Sequence, residues 1–304
     1  MPTFLSGGVS VTVPATSANL GPGYDALGLA LGLRDRVTAE VIDGEGDPEI
    51  NVTGEGAESV PLGPEHLVHR AMAAAFDHMG CPTPRLRLVC ANVIPHGRGL
   101  GSSSAAIVAG VCAARALVAG GSLLMDDDAV FALAADLEGH PDNVAPAFFG
   151  GFTVAYADGG RFHATAVSVD PRVSAVVFVP ADAVETKVAR GLLPQTVPHA
   201  DAAANAGRAA LLVAALGGRP ELLLPATEDR LHQDYREPAM PETLRLVRAL
   251  RADGLPAVVS GAGPTVLVLT DATELDAVAA RGPAGWQVLR LPVDRAGARV
   301  SLPG

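Results

Sequence analysis

The sequence predicts a two-domain α+β protein, and three observations predict it. The chain has 304 residues, about twice a common domain length. Stretches that alternate like strands and stretches with helical spacing succeed one another along it. Hydrophobic residues make up 49% of the chain and aromatic residues only 4%, so the core is expected to be built from Ala, Val and Leu, with many of the alanines on helices.

Val9 to Val13 alternates as a strand, and Val37 to Ile42 reads as a second one after a turn-rich segment. GEGDPEINVTGEG, residues 44–56, reads as turns and a short hairpin. Pro64 and Glu65 precede a helix in which Leu67, Val68, Ala71, Met72, Ala75 and Phe76 share a face and which Gly80 stops. Residues 85–94 read as a strand, and a helix is expected from about Ser103 to Val118. Asp126 to Leu137 reads as a helix whose first acidic residues suit its positive end. EGHPDNVAPAFFGGF, residues 138–152, breaks the pattern with Pro141, Pro146 and Gly150-Gly151 before FTVAYA resumes as strand. A boundary near residue 153 divides the chain into domains 1–153 and 154–304. Beyond it SAVVFVPA, PAVVSGAG and TVLVLT read as strands, and Ala200 to Leu216 and Pro241 to Asp253 as helices, with no fixed-period repeat.

A net charge of −11 argues against nucleic acid as a partner, because phosphate backbones are held by Lys and Arg clusters. A small molecule fits better. Cys81, Cys90 and Cys112 are odd in number and lack CxxC spacing, which points to a reducing cytoplasm rather than a disulfide framework or a zinc site. The first residues show no basic region ahead of a long apolar run, and no stretch of about 18 apolar residues occurs. Neither secretion nor a membrane partner is expected.

The most informative stretch is PHGRGLGSSSAAIVAG, residues 95–110. A glycine-rich turn between a strand and a helix lets backbone N–H groups converge on one point in front of the helix dipole, which is an anion site suited to phosphate. The same stretch also reads as a tight structural turn before an Ala-packed helix. Ser102, Ser103 and Ser104 add hydroxyls for phosphate oxygens or a hard cation. The loop is not GxxxxGK[ST], since no Lys stands beside the Ser, and it is not GxGxxG, since Ser102 stands where the third glycine belongs.

Three segments together resemble the GHMP kinases, ATP-dependent kinases of small molecules: PATSANLGPGYDALGLAL at 14–31, PHGRGLGSSSAA at 95–106 and SGAGPTVLVL at 260–269. They stand in family order across almost the whole chain. EGHPDNVAPAFFGGF, TKVARGLLP at 186–194 and the Arg of DYRE at 234–237 are most similar to the homoserine kinase branch. The resemblance implies an N-terminal domain like that of ribosomal protein S5, a ferredoxin-like C-terminal domain and a site in the cleft between them. It further implies phosphorylation of L-homoserine by ATP toward threonine, and a homodimer.

By the same resemblance Pro95, His96, Gly97, Arg98, Gly99, Leu100, Gly101, Ser102, Ser103, Ser104 and Ala105 form the ATP phosphate loop, and Ser103 with Glu138 holds Mg²⁺. Asn19, Asp25, His140, Asn143, Thr186, Arg190 and Arg236 fall at substrate positions. Two guanidiniums suit an α-carboxylate, Asp25 can balance an ammonium, and the amides of Asn19 and Asn143 can orient a hydroxyl. Each has a plainer reading: Glu138 as a solvated helix end, Asn19 as a turn former, Asp25 as a helix N-cap, His140 as a cap of the preceding helix, Arg190 as a helix-face cation and Arg236 as a solvated side chain.

Asn143 stands where other family members carry a catalytic aspartate. An amide does not accept a proton at neutral pH, so direct transfer is expected, with the hydroxyl proton leaving late. Asp142 is its neighbour. His66-Leu67-Val68 stands where family members often have Asn-Leu-Val, which leaves base preference open. Two rivals remain: a GHMP kinase for another alcohol, and a non-catalytic ligand-sensing relative.

Overall fold

The computed structural model describes residues 3–302, and among them eleven strands form two sheets in an α+β arrangement, as the sequence predicts. The chain opens with β1 (Val9–Asn19) and β2 (Gly23–Val41), paired antiparallel along their length. The segment expected to be turn-rich is therefore mostly strand, and its turn is confined to Leu20–Pro22. Val13 to Asn19 are buried without alternation, and small residues buried on both faces leave no period to read. Asn19, Leu20 and Asp25 hold positive φ around this turn.

No hairpin forms at 44–56. The strand there, β3 (Glu49–Gly54), lies parallel to β4 (Leu86–Asn92), and a parallel pair requires the crossover that α1 (Leu67–His78) supplies. The glycine loop follows β4 and enters α2 (Ser102–Leu117), in which Ile107 to Ala114 are buried on every side. A Cβ on Gly110 would lie 2.6 Å from the carbonyl oxygen of Val68, so α1 and α2 meet backbone to backbone.

After the short α3 (Gly121–Leu124) comes α4 (Asp127–Glu138), capped by the Asp126 carboxylate, which accepts from the Ala129 N–H at 2.8 Å. Where the prolines suggested a break there is another helix, α5 (Pro141–Phe149). Pro141 occupies the first turn, where an N–H is not needed. Pro146 removes the helical partner of the Asp142 carbonyl, and that carbonyl rests against Gly28 of β2, 2.0 Å from where a Cβ would stand. The helix keeps its proline because the missing bond lies on its packed face.

β5 (Phe152–Asp158) and β6 (Arg161–Val167) extend the first sheet from β2. β7 (Val173–Val179), β8 (Ala257–Val259), β9 (Val266–Asp271) and β10 (Gln287–Pro292) form the second, in the order β10-β7-β9-β8. Its helices are α6 (Thr186–Gly191), α7 (His199–Gly218), α8 (Leu223–Ala226), α9 (Pro241–Ala252) and α10 (Leu275–Ala279). A last strand, β11 (Arg299–Ser301), returns to pair with β1. The larger apolar core takes in Val11, Leu29 and Leu88 of the first sheet and continues to Val177, Leu267 and Leu269 of the second. A smaller one, with Phe178, Leu244 and Val268, lies on the second sheet's other face.

Candidate active site

One cavity gathers most of the residues that the sequence singles out. The glycine loop supplies Gly97, Gly99, Gly101, Ser102 and Ser103. The junction of α4 and α5 supplies Glu138, His140 and Asn143, with Asp142 between the last two. Asn19 reaches it from the end of β1, Thr186 and Arg190 from α6, Arg236 from a 3₁₀ turn before α9, and Gly261 and Ala262 from the β8–β9 turn. The other loop residues serve differently. Pro95 and Leu100 are buried, His96 and Ala105 line a neighbouring cavity, and Arg98 turns away. Its guanidinium donates to the carbonyls of Pro180 at 3.1 Å, of Ala181 and of His96 at 2.6 Å, tying the loop to the chain beyond β7.

The loop needs its glycines for two reasons. Gly99 and Gly101 sit at φ of 74° and 71°, where a side chain is strained. A Cβ on Gly99 would also stand 2.2 Å from the Ser260 carbonyl oxygen, and one on Gly101 1.9 Å from the Thr16 hydroxyl. The loop is thus clasped between β1 and the β8–β9 turn, and the start of α2 faces the cavity behind it. The Ser260 hydroxyl fastens the clasp by hydrogen bonding to the Gly99 carbonyl at 2.6 Å and to the Ser17 hydroxyl at 2.8 Å.

Glu138 is not a solvated helix end. Its Oε2 accepts from the Ser103 hydroxyl at 2.6 Å and its Oε1 from the Ser104 hydroxyl at 2.8 Å. A carboxylate and two hydroxyls are hard oxygen donors of the kind Mg²⁺ takes while keeping waters and phosphate oxygens. Among the described residues no three of His, Cys, Asp and Glu converge as an all-protein metal cage.

At Asn143 the side-chain Oδ1 accepts from the Thr16 hydroxyl at 2.8 Å, which leaves the amide N–H₂ to donate. Asn19 donates to the Gly261 carbonyl at 2.8 Å and accepts the Asp25 N–H at 2.9 Å, so it closes a turn as well as facing the cavity. His140 precedes α5 without capping it or α4 through its ring. Its Nδ1 bonds the buried Asp142 carboxylate at 2.8 Å. Burial works against charge on this imidazole, but the bond to Asp142 and the carboxylates of Asp142 and Glu138 outweigh it and raise its pKa.

The two arginines meet around an aromatic ring that sequence reasoning missed. Arg190 and Arg236 each lie 5.7 Å from the centre of the Tyr24 ring, and the Tyr24 hydroxyl accepts from Arg190 at 3.0 Å. Asp25 is no helix cap; it lies on β2 and holds Arg190 through two bonds, of 2.7 and 3.1 Å. Both partners are about a third exposed, so this pair contributes only about 0–1 kcal/mol and opens readily for a ligand. Arg236 is buried to 1% exposure rather than solvated. It donates to the Gly261 carbonyl at 3.0 Å and to His232 Nδ1 at 3.1 Å. His232 in turn donates from Nε2 to the Gly21 carbonyl at 2.7 Å, which fixes the neutral tautomer, and burial lowers its pKa accordingly. Tyr24 stands inside the 14–31 segment and His232 four residues before Arg236, yet neither type nor spacing marked them. Thr16 was missed for the same reason.

A second cavity shares Ser102 and Ser103 with the first and runs along α2 past His96, Ala105 and Ala109. Val37, Val60, Val68 and Cys90 make it largely apolar. His66 also lines it, with a buried Nδ1 that has no partner among the described residues and a pKa lowered by burial.

Two family models match the chain. Residues 66–151 match the GHMP kinases N terminal domain, and residues 208–287 match the GHMP kinases C terminal domain. The homoserine kinase of Streptomyces avermitilis is 58% identical over 299 residues, spanning 98% of this chain and 97% of the relative. That of Clavibacter michiganensis is 52% identical over 97% of this chain and 94% of its own. Among solved structures, a homoserine kinase from Cytophaga hutchinsonii superposes with a TM-score of 0.83 at 24% identity, covering 98% of both chains. A mevalonate pyrophosphate decarboxylase from Streptococcus pyogenes shares the fold at 0.67 and 16%, over 96% and 98%. The first family model takes in the glycine loop and the second takes in Arg236, and with identity this high along the whole length the chain belongs to the GHMP kinases, among the homoserine kinases.

Proposed function

We propose that this chain transfers the γ-phosphoryl group of ATP to the side-chain hydroxyl of L-homoserine, giving O-phospho-L-homoserine in the route to threonine. The observation that carries the reading is the pair of guanidiniums, Arg190 and Arg236, in the same cavity as the Gly97–Ser103 loop. Two cations around Tyr24 suit a carboxylate, and a glycine loop at the start of α2 suits phosphates. A substrate carrying a carboxylate at one end and a phosphoryl acceptor at the other fits both.

The residues divide the work. Backbone N–H groups from Gly97 to Ser104 hold the phosphates, and Ser103 and Glu138 hold Mg²⁺, which when bound neutralises phosphate charge. Arg236, held by His232 and Gly261, and Arg190, exchanging its Asp25 bonds, take the α-carboxylate. Asp25, released in part, faces the ammonium together with Thr186 and Asn19, while His140, held by Asp142, lines the same wall. Asn143 donates to the substrate hydroxyl and keeps that oxygen pointed at phosphorus. The hydroxyl oxygen bonds to the γ-phosphorus as the bond to the bridging oxygen breaks, and the proton passes late to a phosphoryl oxygen. No side chain acts as general base: Asn143 is an amide, and Asp142 is occupied by His140. Positioning and charge neutralisation carry the rate. The two-domain division near residue 153, a homodimer and a cytoplasmic location complete the proposal.

The test is ATP consumption with Mg²⁺ and L-homoserine, L-serine, L-threonine or mevalonate as acceptor. Turnover is expected with homoserine alone. Arg236→Lys is expected to raise KM for homoserine by about 10- to 100-fold, since a point charge replaces a planar fork, while Asp142→Asn retains turnover. Loss of all turnover in Asp142→Asn with both substrates still bound overturns direct transfer.

A further inference from the structure

Arg236 is a buried cation whose partners carry no charge. Its Nη1 donates to the Gly261 carbonyl at 3.0 Å and to His232 Nδ1 at 3.1 Å, and that nitrogen accepts because Nε2 of the same ring donates to the Gly21 carbonyl. The backbone thus sets the tautomer. Neither Nε nor Nη2, which share one edge of the guanidinium, bonds any of the described residues, although Arg236 lines the cavity. The carboxylates around it are engaged elsewhere. Asp25 is held by Arg190 and Asp142 by His140. Asp229 accepts the N–H groups of Leu231, His232 and Gln233 at 2.9, 3.1 and 2.7 Å and lies 3.7 Å from His232 Nε2, the ring nitrogen that does not face Arg236. A buried guanidinium left with neutral acceptors is costly, and burial lowers its pKa.

An arginine can be held by a carboxylate, as Asp25 holds Arg190. At position 232 a carboxylate would make the stronger bond, but it would also answer the charge before any ligand arrived. Resting on the carboxylate reading above, we propose that His232 is a positioning residue which, as a neutral acceptor, fixes Arg236 through Nη1 and leaves its positive charge and its Nη2 edge uncommitted for the α-carboxylate of the substrate. The two arginines then differ in task. Arg190 exchanges its bonds to Asp25, whereas Arg236 meets the ligand with its charge in full and gives up no partner. The Tyr24 ring, 5.3 Å from the His232 ring and 5.7 Å from Arg236, packs against both without supplying an anion.

The experiment sets His232→Asn beside His232→Asp, two side chains of one shape that differ in charge. Both put an oxygen near the place of Nδ1. KM for L-homoserine is expected to be about 10- to 100-fold higher in the Asp variant than in the Asn variant, with KM for ATP and kcat alike in the two. A residue that merely holds Arg236 in place is served at least as well by the carboxylate. Equal values of KM for homoserine, a lower one in the Asp variant, or a KM for ATP that rises in parallel therefore overturns the proposal. If the variants do not fold, histidine ¹⁵N NMR of the wild type decides. The expected signature is a neutral imidazole, protonated on Nε2, whose Nδ1 resonance moves when L-homoserine is added and stays when ADP is added; the lack of any such imidazole overturns the proposal. Wild type that neither binds nor phosphorylates L-homoserine removes the carboxylate reading and this proposal with it, whereas normal wild-type turnover with matching variants removes this proposal alone.

Discussion

At the scale of single residues, His140 shows how a cavity sets a charge. The sequence offered it as a substrate ligand or a helix cap, and the structure gives its ring to Asp142 in the cavity wall. Its pKa is raised above 6.5, so the folded state binds the proton more tightly than the unfolded chain does. That contribution to stability is complete below the unfolded value and is lost as pH rises through the folded one. The melting-temperature gap between wild type and His140→Gln is therefore expected to be largest below the unfolded value and to narrow as pH rises through the folded one. A gap that widens with pH would contradict the assignment. The same scale marks what the sequence conceals. Arg236 was legible because its type suits a carboxylate. His232 and Tyr24, which hold it, are placed by partners far along the chain, as in the bond from His232 to Gly21 across 211 residues, and no local pattern records that.

At the scale of elements, the glycine loop was the most legible part of the molecule. Its composition announced a strand-to-helix turn with converging N–H groups, and α2 begins at Ser102. The α5 helix was the least legible, since Pro146 signals a break unless one knows that bare Gly28 lies beneath it. The β3 strand was misread as half a hairpin because its partner comes after α1 rather than next in sequence. Gly99→Ala tests the clasp on the loop directly. Its Cβ would meet the Ser260 carbonyl at 2.2 Å, with φ at 74°. Destabilisation of about 2–4 kcal/mol in urea unfolding and near-complete loss of turnover are expected. Gly97→Ala, whose Cβ would meet only Ala183 at 3.3 Å, is expected to cost about 1–2 kcal/mol.

At the scale of the whole molecule, the two sheets do not have separate interiors. Leu29 and Leu88 share a core with Val177 and Leu269, β5 and β6 follow residue 151 yet stay in the first sheet, and β11 crosses back to β1. Length and alternation point to two units, and the core that joins them is a property of tertiary packing that periodicity does not carry. One cooperative unfolding transition is expected. Trp286, the single tryptophan, packs on the smaller core of the second sheet, so its fluorescence and far-UV circular dichroism should report the same midpoint in urea. Separate midpoints would mean that the halves unfold independently. The clasp around the glycine loop has a further consequence. Asn19 meets Gly261 across 242 residues and Ser17 meets Ser260 across 243, so the pocket exists only once nearly the entire chain has been made and closed on itself. Closing so long a loop is slow. A nascent chain that has not yet reached Gly261 therefore lacks the partners that clasp the loop.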